Sequence, residues 1–201
     1  KDYSNFPRKY KVGITGCKCC CTPYEIQDIS LRAFKKEDEI LYDLTIGGGL
    51  SKSKQIAYRD NRYVKEEQAQ DVIVACAQIF RDNGNRASRG KARVRHLVNE
   101  WGLEKFIEEL ENKLGYKLEE GNQEPFVESF ENRNHFGINK SKIEGESFIG
   151  FATNSGRIDG KDFVTMYEIL KKYNAKGMRL TTTKNFVVFG VKDKDALSLA
   201  Q

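Results

Sequence analysis

The apolar residues of this chain change their period part-way along it. Tyr10, Val12 and Ile14, and then Ile40, Tyr42, Leu44 and Ile46, alternate with polar neighbours as half-buried strands do. Beyond them Val72, Ile73, Ala75, Cys76, Ile79 and Phe80 recur at helical spacing, which predicts a helix over 64–81. Further helices are expected at 89–101, closed by Gly102, and at about 104–114, with Phe106, Ile107, Leu110 and Leu114 inward. Strands followed by a helical cluster at about 64–114 predict an α+β chain.

A second compact unit is expected at 147–191. Phe148–Ala152 reads as a strand and Asp162 as the N-cap of a helix over 163–173, with Phe163, Met166, Tyr167 and Leu170 inward. Met178–Thr181 and Asn185–Val191 read as two more strands. This β-α-β-β pattern is half of a ferredoxin-like fold, and such a half leaves sheet edges, expected near Phe148–Ala152 or Asn185–Val191, that seek a partner, self-association included. The stretch 52–63 reads as a polar loop, and 116–146, with Pro125 and no clear period, as a long irregular segment.

The 201 residues suffice for one large domain or two small ones, and 39% hydrophobic residues can bury a core. A net charge of +5 permits an anionic partner without requiring one. No apolar run approaches a membrane span, and the first residues do not form a signal peptide. Four of the five cysteines fall in Cys17–Cys21, too close to pair readily with one another. This fits a reducing, cytoplasmic setting in which thiolates are free for metal or an iron–sulfur cluster. Cys76, on the apolar helix stripe, reads as a small buried hydrophobe.

In the strand reading of Lys9–Thr15, Lys9, Lys11, Gly13 and Thr15 share one face, and Tyr10, Val12 and Ile14 share the core face. The two ammonium groups then stand roughly 7 Å apart, a spacing that suits one small oxyanion. A solvated edge strand whose lysines discourage edge pairing is the alternative. Gly47-Gly48-Gly49 after a strand allows close approach of backbone to a ligand, and its N–H groups could cradle an anion. A flexible turn looks the same, and no P-loop spacing follows. Arg86, Arg89, Lys91, Arg93 and Arg95 cluster over the second helix and its approach. They lack aromatic partners for nucleic acid and read as a solvated or acidic-partner face. His96 and His135 have no triad partners and read as structural or surface residues.

Several segments resemble the siroheme-dependent nitrite and sulfite reductases, in that family's order. Pro7-Arg8-Lys9-Tyr10-Lys11 is similar to its Pro-Arg-Lys-aromatic-Lys strand, and Gly47-Gly48-Gly49-Leu50-Ser51 to its glycine-rich loop. Phe80–Arg86 with Lys91-Ala92-Arg93 resembles its helix junction, and Trp101–Phe106 its Gly-Val/Leu-Glu-x-Phe helix. His135–Ile138, Gly156-Arg157-Ile158 and Arg179–Asn185 are similar to segments of its second ferredoxin-like half, with Lys184 where the family usually has Gln. The resemblance implies a siroheme-reductase α+β domain portion over 1–120, a linker over 121–146 and a ferredoxin-like half-domain over 147–201. It implies an internal piece of a longer reductase, whose remaining halves would be partners and which would be silent alone.

The implied reaction is reduction of sulfite to sulfide or nitrite to ammonia on a siroheme and [4Fe–4S] pair, with ferredoxin or another electron donor and no nucleic acid or membrane. Lys9 and Lys11 are then the candidate catalytic charges. Arg8, Gly47, Gly48, Gly49, Arg179 and Asn185 are the cofactor-binding candidates, although for Arg8 a surface acid is also open as partner. Cys17 and Cys21, at the family's Cys-x3-Cys spacing, are candidate metal ligands, and the chain has no Cys-x5-Cys to complete the set. The alternative is a non-catalytic metal- or iron–sulfur-binding module built on Cys17, Cys19, Cys20 and Cys21.

Overall fold

A computed structural model describes residues 3–17, 22–50, 53–121 and 134–201. The chain divides into two compact units, Lys1–Glu128 and Ser129–Gln201, and is of the α+β class, with a helical cluster in the first unit and a β-α-β-β arrangement in the second.

The first unit is a five-stranded sheet in sequential order. Its strands are β1 (Val12–Thr15), β2 (Ile29–Lys36), β3 (Glu39–Ile46), β4 (Tyr58–Lys65) and β5 (Glu119–Glu120). β1 runs parallel to β2 and every other pair is antiparallel. Three helices, α1 (Ala69–Asn83), α2 (Val94–Trp101) and α3 (Leu103–Leu114), bury Val72, Cys76, Phe80, Leu97, Phe106 and Leu110 in one core with Ile29, Leu31, Leu44 and Ile46. The alternation in β2 and β3 explains this packing, because Ile29 is opposite Ile46 and Leu31 opposite Leu44, all pointing to one face.

Two expectations change here. The stretch expected as a loop ends in β4, and the helix expected from residue 64 starts at Ala69. Tyr58-Arg59-Asp60-Asn61-Arg62 is too polar to read as a strand. It forms one because β3 and β5 hydrogen-bond it on both sides and Asp43, 1% exposed, accepts from Arg59 across the ladder at 3.0 Å. The second helix is also shorter than expected, since residues 89–91 form a separate 3-10 turn.

The β1 segment inverts the expected burial. Val12 and Ile14 point to the helix-covered side of the sheet, in register with Ile29 and Leu31, yet are 38% and 56% exposed. β1 is the sheet edge and lies beyond the reach of the helices. Gly13 and Thr15, expected on the open face, are buried. Tyr10 behaves as expected. It clusters with Phe6 and Phe80 at 5.6 and 6.1 Å between ring centroids, the two phenylalanine rings being 6.0 Å from each other, and its hydroxyl donates to the Ile73 carbonyl at 3.1 Å.

The second unit is a four-stranded antiparallel sheet in the order β6 (Gly137–Lys140), β7 (Glu146–Phe151), β9 (Phe186–Lys192), β8 (Gly177–Leu180), with α4 (Gly160–Lys172) and α5 (Asp193–Ala200). β7-α4-β8-β9 matches the expected pattern, but β6 and α5 were not anticipated. β7 and β9, expected as edges, are interior strands, because β6 pairs with β7 and β8 with β9. Asp159, not Asp162, caps α4, its Oδ1 accepting from the N–H groups of Lys161 and Asp162 at 2.8 and 2.9 Å. The core is formed by Ile149, Val188 and Val191 with Ala196 and Leu199 of α5, and only the Leu170 end of α4 reaches it. Phe163 and Tyr167, expected inward, are 40% and 61% exposed.

Candidate functional site

The lysine segment, the glycine loop and an arginine pair converge in the first unit. Stacking of Tyr10 on Phe80 seats the segment Arg8–Lys11 against α1. The main chain of Lys11 is fixed at both ends. Its N–H donates to Asp28 Oδ2 at 2.9 Å, and its carbonyl accepts from the N–H groups of Asp28 and Ile29 at 3.1 and 3.2 Å. The Lys11 ammonium is half-buried and donates to the Ile26 carbonyl at 3.0 Å. Burial pulls its pKa below the ordinary lysine value. Asp28 works against that shift, while Arg93, Lys9 and Arg95 add to it. Lys9 is exposed. Among the described residues Arg8 makes no ion pair with an acid, and its Nη1 donates to the Arg89 carbonyl at 2.8 Å.

The glycine loop is wedged between two walls. A Cβ on Gly48 would collide with the carbonyls of Glu25 and Gln27, and one on Gly49 would collide with the guanidinium of Arg95. Only glycine lets the backbone approach so closely. Two of the loop's N–H groups are already used, Gly47 donating to the Asp28 carbonyl at 2.7 Å and Gly49 to the Gln55 carbonyl at 2.9 Å. The expected cradle of three amides is therefore not available as a set.

Arg93 and Arg95, read from sequence as part of a solvated basic face, are 5% and 4% exposed. They behave differently although they are two residues apart. Arg93 forks onto Asp28, Nε to Oδ1 at 3.2 Å and Nη2 to Oδ2 at 2.6 Å. Arg95 has no such acid. Its Nε and Nη1 are buried without a hydrogen-bond partner among the described residues, and burial, Arg93 and Arg8 depress its pKa, while Asp28 opposes them. A buried guanidinium with unused donors is costly to hold, and here it lies among Arg8, Lys9, Lys11 and Arg93. The arrangement can attract an oxyanion or a carboxylate, although Nε and Nη1 point to different sides of the guanidinium and do not make a side-on fork like that of Arg93. The signal that could have found it is the alternation Lys91-Ala92-Arg93-Val94-Arg95, which continues to the buried Leu97 and Val98.

The remaining candidates do not join this cluster in one unit. Arg179 and Asn185 belong to the second unit. There the Arg179 guanidinium lies over the Phe189 ring at 5.3 Å, and Asn185 accepts from the Thr153 N–H at 3.1 Å through Oδ1. Cys17 is half-buried at the end of β1, while Cys19, Cys20 and Cys21 lie outside the described residues. Among the described residues no group of three or more His, Cys, Asp or Glu side chains could hold a metal ion. Cys76 is fully buried beneath Tyr10, and burial pushes its thiol well above the ordinary range, in keeping with a core role. No helix among the described residues is long and apolar enough to cross a membrane.

Residues 1–118 match the nitrite and sulphite reductase 4Fe-4S domain, and residues 141–201 match the nitrite/sulfite reductase ferredoxin-like half domain. The chain is 30% identical to the assimilatory ferredoxin-dependent nitrite reductase of Haloferax mediterranei over 94% of its length. It is 32% identical to sulfite reductase [ferredoxin] 1 of Mycolicibacterium paratuberculosis over 96%. It spans about a third of each, 35% and 34%. The solved structure of the Mycobacterium tuberculosis NirA protein superposes with a TM-score of 0.89 and 30% identity over 98% of this chain and 36% of that one.

Proposed function

The chain belongs to the siroheme-dependent nitrite and sulfite reductase family, and from that premise we propose that it is the part of such a reductase that presents fixed positive charge to an anion. The observation that carries this reading is the buried, unsatisfied guanidinium of Arg95 among Arg8, Lys9, Lys11 and Arg93. Siroheme would supply the redox chemistry on substrate when bound. Its carboxylates fit the unused Arg95 donors and the neighbouring Arg8. A [4Fe–4S] cluster has no such fit among the described residues, since Cys17 is the one described thiol outside the core.

In this reading the work of the chain's own residues is electrostatic. Arg95 and Arg8 take carboxylate charge, and the Gly47–Gly49 backbone permits close approach. The Lys9 and Lys11 ammoniums stabilise the charge of sulfite or nitrite and offer it protons. Lys11, whose pKa is lowered by burial and by its cationic neighbours, is the better proton donor of the two. Arg179 and Asn185 remain proposed cofactor contacts from the second unit. Cys17 and Cys21 remain proposed metal ligands, with ferredoxin, named in the relatives' titles, as the proposed electron donor. The expected domain limits, 1–120 and 147–201 around a linker, likewise stand as proposals.

The test is turnover with a reduced dye and sulfite or nitrite in a full-length reductase carrying this segment. Lys11→Ala is expected to lower kcat by about two to three orders of magnitude, and the exposed Lys9→Ala by less. Unchanged kcat in both variants would overturn the assignment. The 201-residue chain alone is expected to give no turnover.

A further inference from the structure

One buried carboxylate ties together every part of the cluster. Asp28 is 0% exposed and uses all of its polar groups. Its N–H donates to the Lys11 carbonyl at 3.1 Å, and its own carbonyl accepts from the Gly47 N–H at 2.7 Å. Oδ2 accepts from the Lys11 N–H at 2.9 Å, and the carboxylate is forked by Arg93 at 3.2 and 2.6 Å. The lysine segment, the glycine loop and the arginine pair come from separate stretches of sequence, and this residue hydrogen-bonds all three.

We propose that Asp28 is the positioning residue of the anion site, holding Arg93 as its own counter-ion and fixing Lys11 and the glycine loop, so that Arg95 and the Lys11 ammonium are the charges left for an incoming oxyanion or carboxylate. This rests on the reading of the cluster as an anion site and adds a division of labour to it. Arg93 is spent inside the protein on Asp28, whereas Arg95, two residues on, packs against Gly49 with no acid forked onto it among the described residues. Asp28 also supports the protonated state of Lys11 against burial, Arg93, Lys9 and Arg95.

A merely electrostatic role predicts the opposite of a positioning one. If Asp28 only diluted the positive field, removing its charge would tighten anion binding. If it positions the donors, removing it weakens binding despite the added net charge. The test uses the 201-residue chain with inorganic sulfite as probe, following the Arg95 Nε–H and Lys11 ammonium signals by NMR. Sulfite is expected to shift the Arg95 signal in the unmutated chain. In Asp28→Asn the affinity should fall at least about tenfold, the scale usual for residues that orient ligand-holding groups, and Lys11 should lose its proton at lower pH.

Equal or tighter binding in Asp28→Asn overturns the proposal. An Arg95 signal that sulfite leaves unmoved in the unmutated chain removes the anion reading itself, and this inference with it. If Asp28→Asn fails to fold because Arg93 is left unpaired, the pair Asp28→Ala with Arg93→Leu leaves no buried charge alone. It is expected to bind sulfite at least about tenfold more weakly, and unchanged affinity there overturns the proposal equally.

Discussion

Arg95 makes the anion-free protein less stable than it need be. Two of its nitrogens are buried with no acceptor among the described residues, a situation that costs about 1–3 kcal/mol, or more for a charged group. Arg95→Met is therefore expected to raise stability in anion-free buffer by about 1–3 kcal/mol, measured by denaturant unfolding. The same change should abolish the rise in melting temperature that sulfite gives the unmutated chain by mass action. An unchanged sulfite response in Arg95→Met would place the anion elsewhere. At this scale the sequence revealed Lys9 and Lys11 through their spacing but hid Arg95. A basic residue reads as exposed by default, and only the tertiary contact with Gly49 makes this one buried. Asp28 was hidden for the same reason, since nothing local links it to Arg93, 65 positions later.

Among the elements, the glycine loop and the turn after α3 are the most exacting. Gly48→Ala would drive a Cβ into the carbonyls of Glu25 and Gln27, whereas a Cβ on Gly160 meets open space. Gly48→Ala is expected to cost about 1–3 kcal/mol and to lower the melting temperature, and Gly160→Ala to leave it nearly unchanged. In the last turn of α3, Glu111 is buried, accepts from the Leu118 N–H at 3.0 Å and from Lys117 at 2.7 Å in the turn that follows, and pairs with Arg62 at 3.5 Å. Burial works against its charge, but the Lys117 and Leu118 hydrogen bonds and the Arg62 charge outweigh it and hold its pKa below the ordinary 4.5. A depressed pKa gives stability that is present above 4.5 and is lost as pH falls through the folded value. Melting temperature measured downward from pH 6 should therefore decline in that acid window, and Glu111→Gln should flatten the decline.

Strands and helices with an apolar period were legible, α3 to within a residue. β4 and β6 were not, because their pairing partners rather than their composition make them strands.

At the scale of the whole chain, the two units differ in how completely their helices are used. The first packs α1, α2 and α3 into one core. The second leaves α4 without a single buried residue, and Phe163, Tyr167 and Leu180, at 40%, 61% and 69% exposure, line a groove of about 620 Å³ between α4 and β8. A hydrophobic dye is expected to bind there. Tyr167→Glu with Leu180→Glu should remove the dye signal while shifting stability by less than about 0.5 kcal/mol. Persistence of the signal would put the dye on another surface. The ferredoxin-like pattern was visible in the sequence, but the burial of α4 was misjudged, because an amphipathic helix announces an apolar face and not what covers it.

The place of β6 bears on how this polypeptide can be divided. The family match in the second unit begins at residue 141, one position after β6 ends at Lys140. A polypeptide started at that boundary would keep the matched residues and discard the strand that pairs with β7 from Gly137 to Lys140. β7 would then present a row of bare amides and carbonyls along its outer side, the usual template for intermolecular stacking. The boundary drawn from similarity among relatives therefore lies inside the sheet, and the four residues to its left are what keep the outer side of β7 paired.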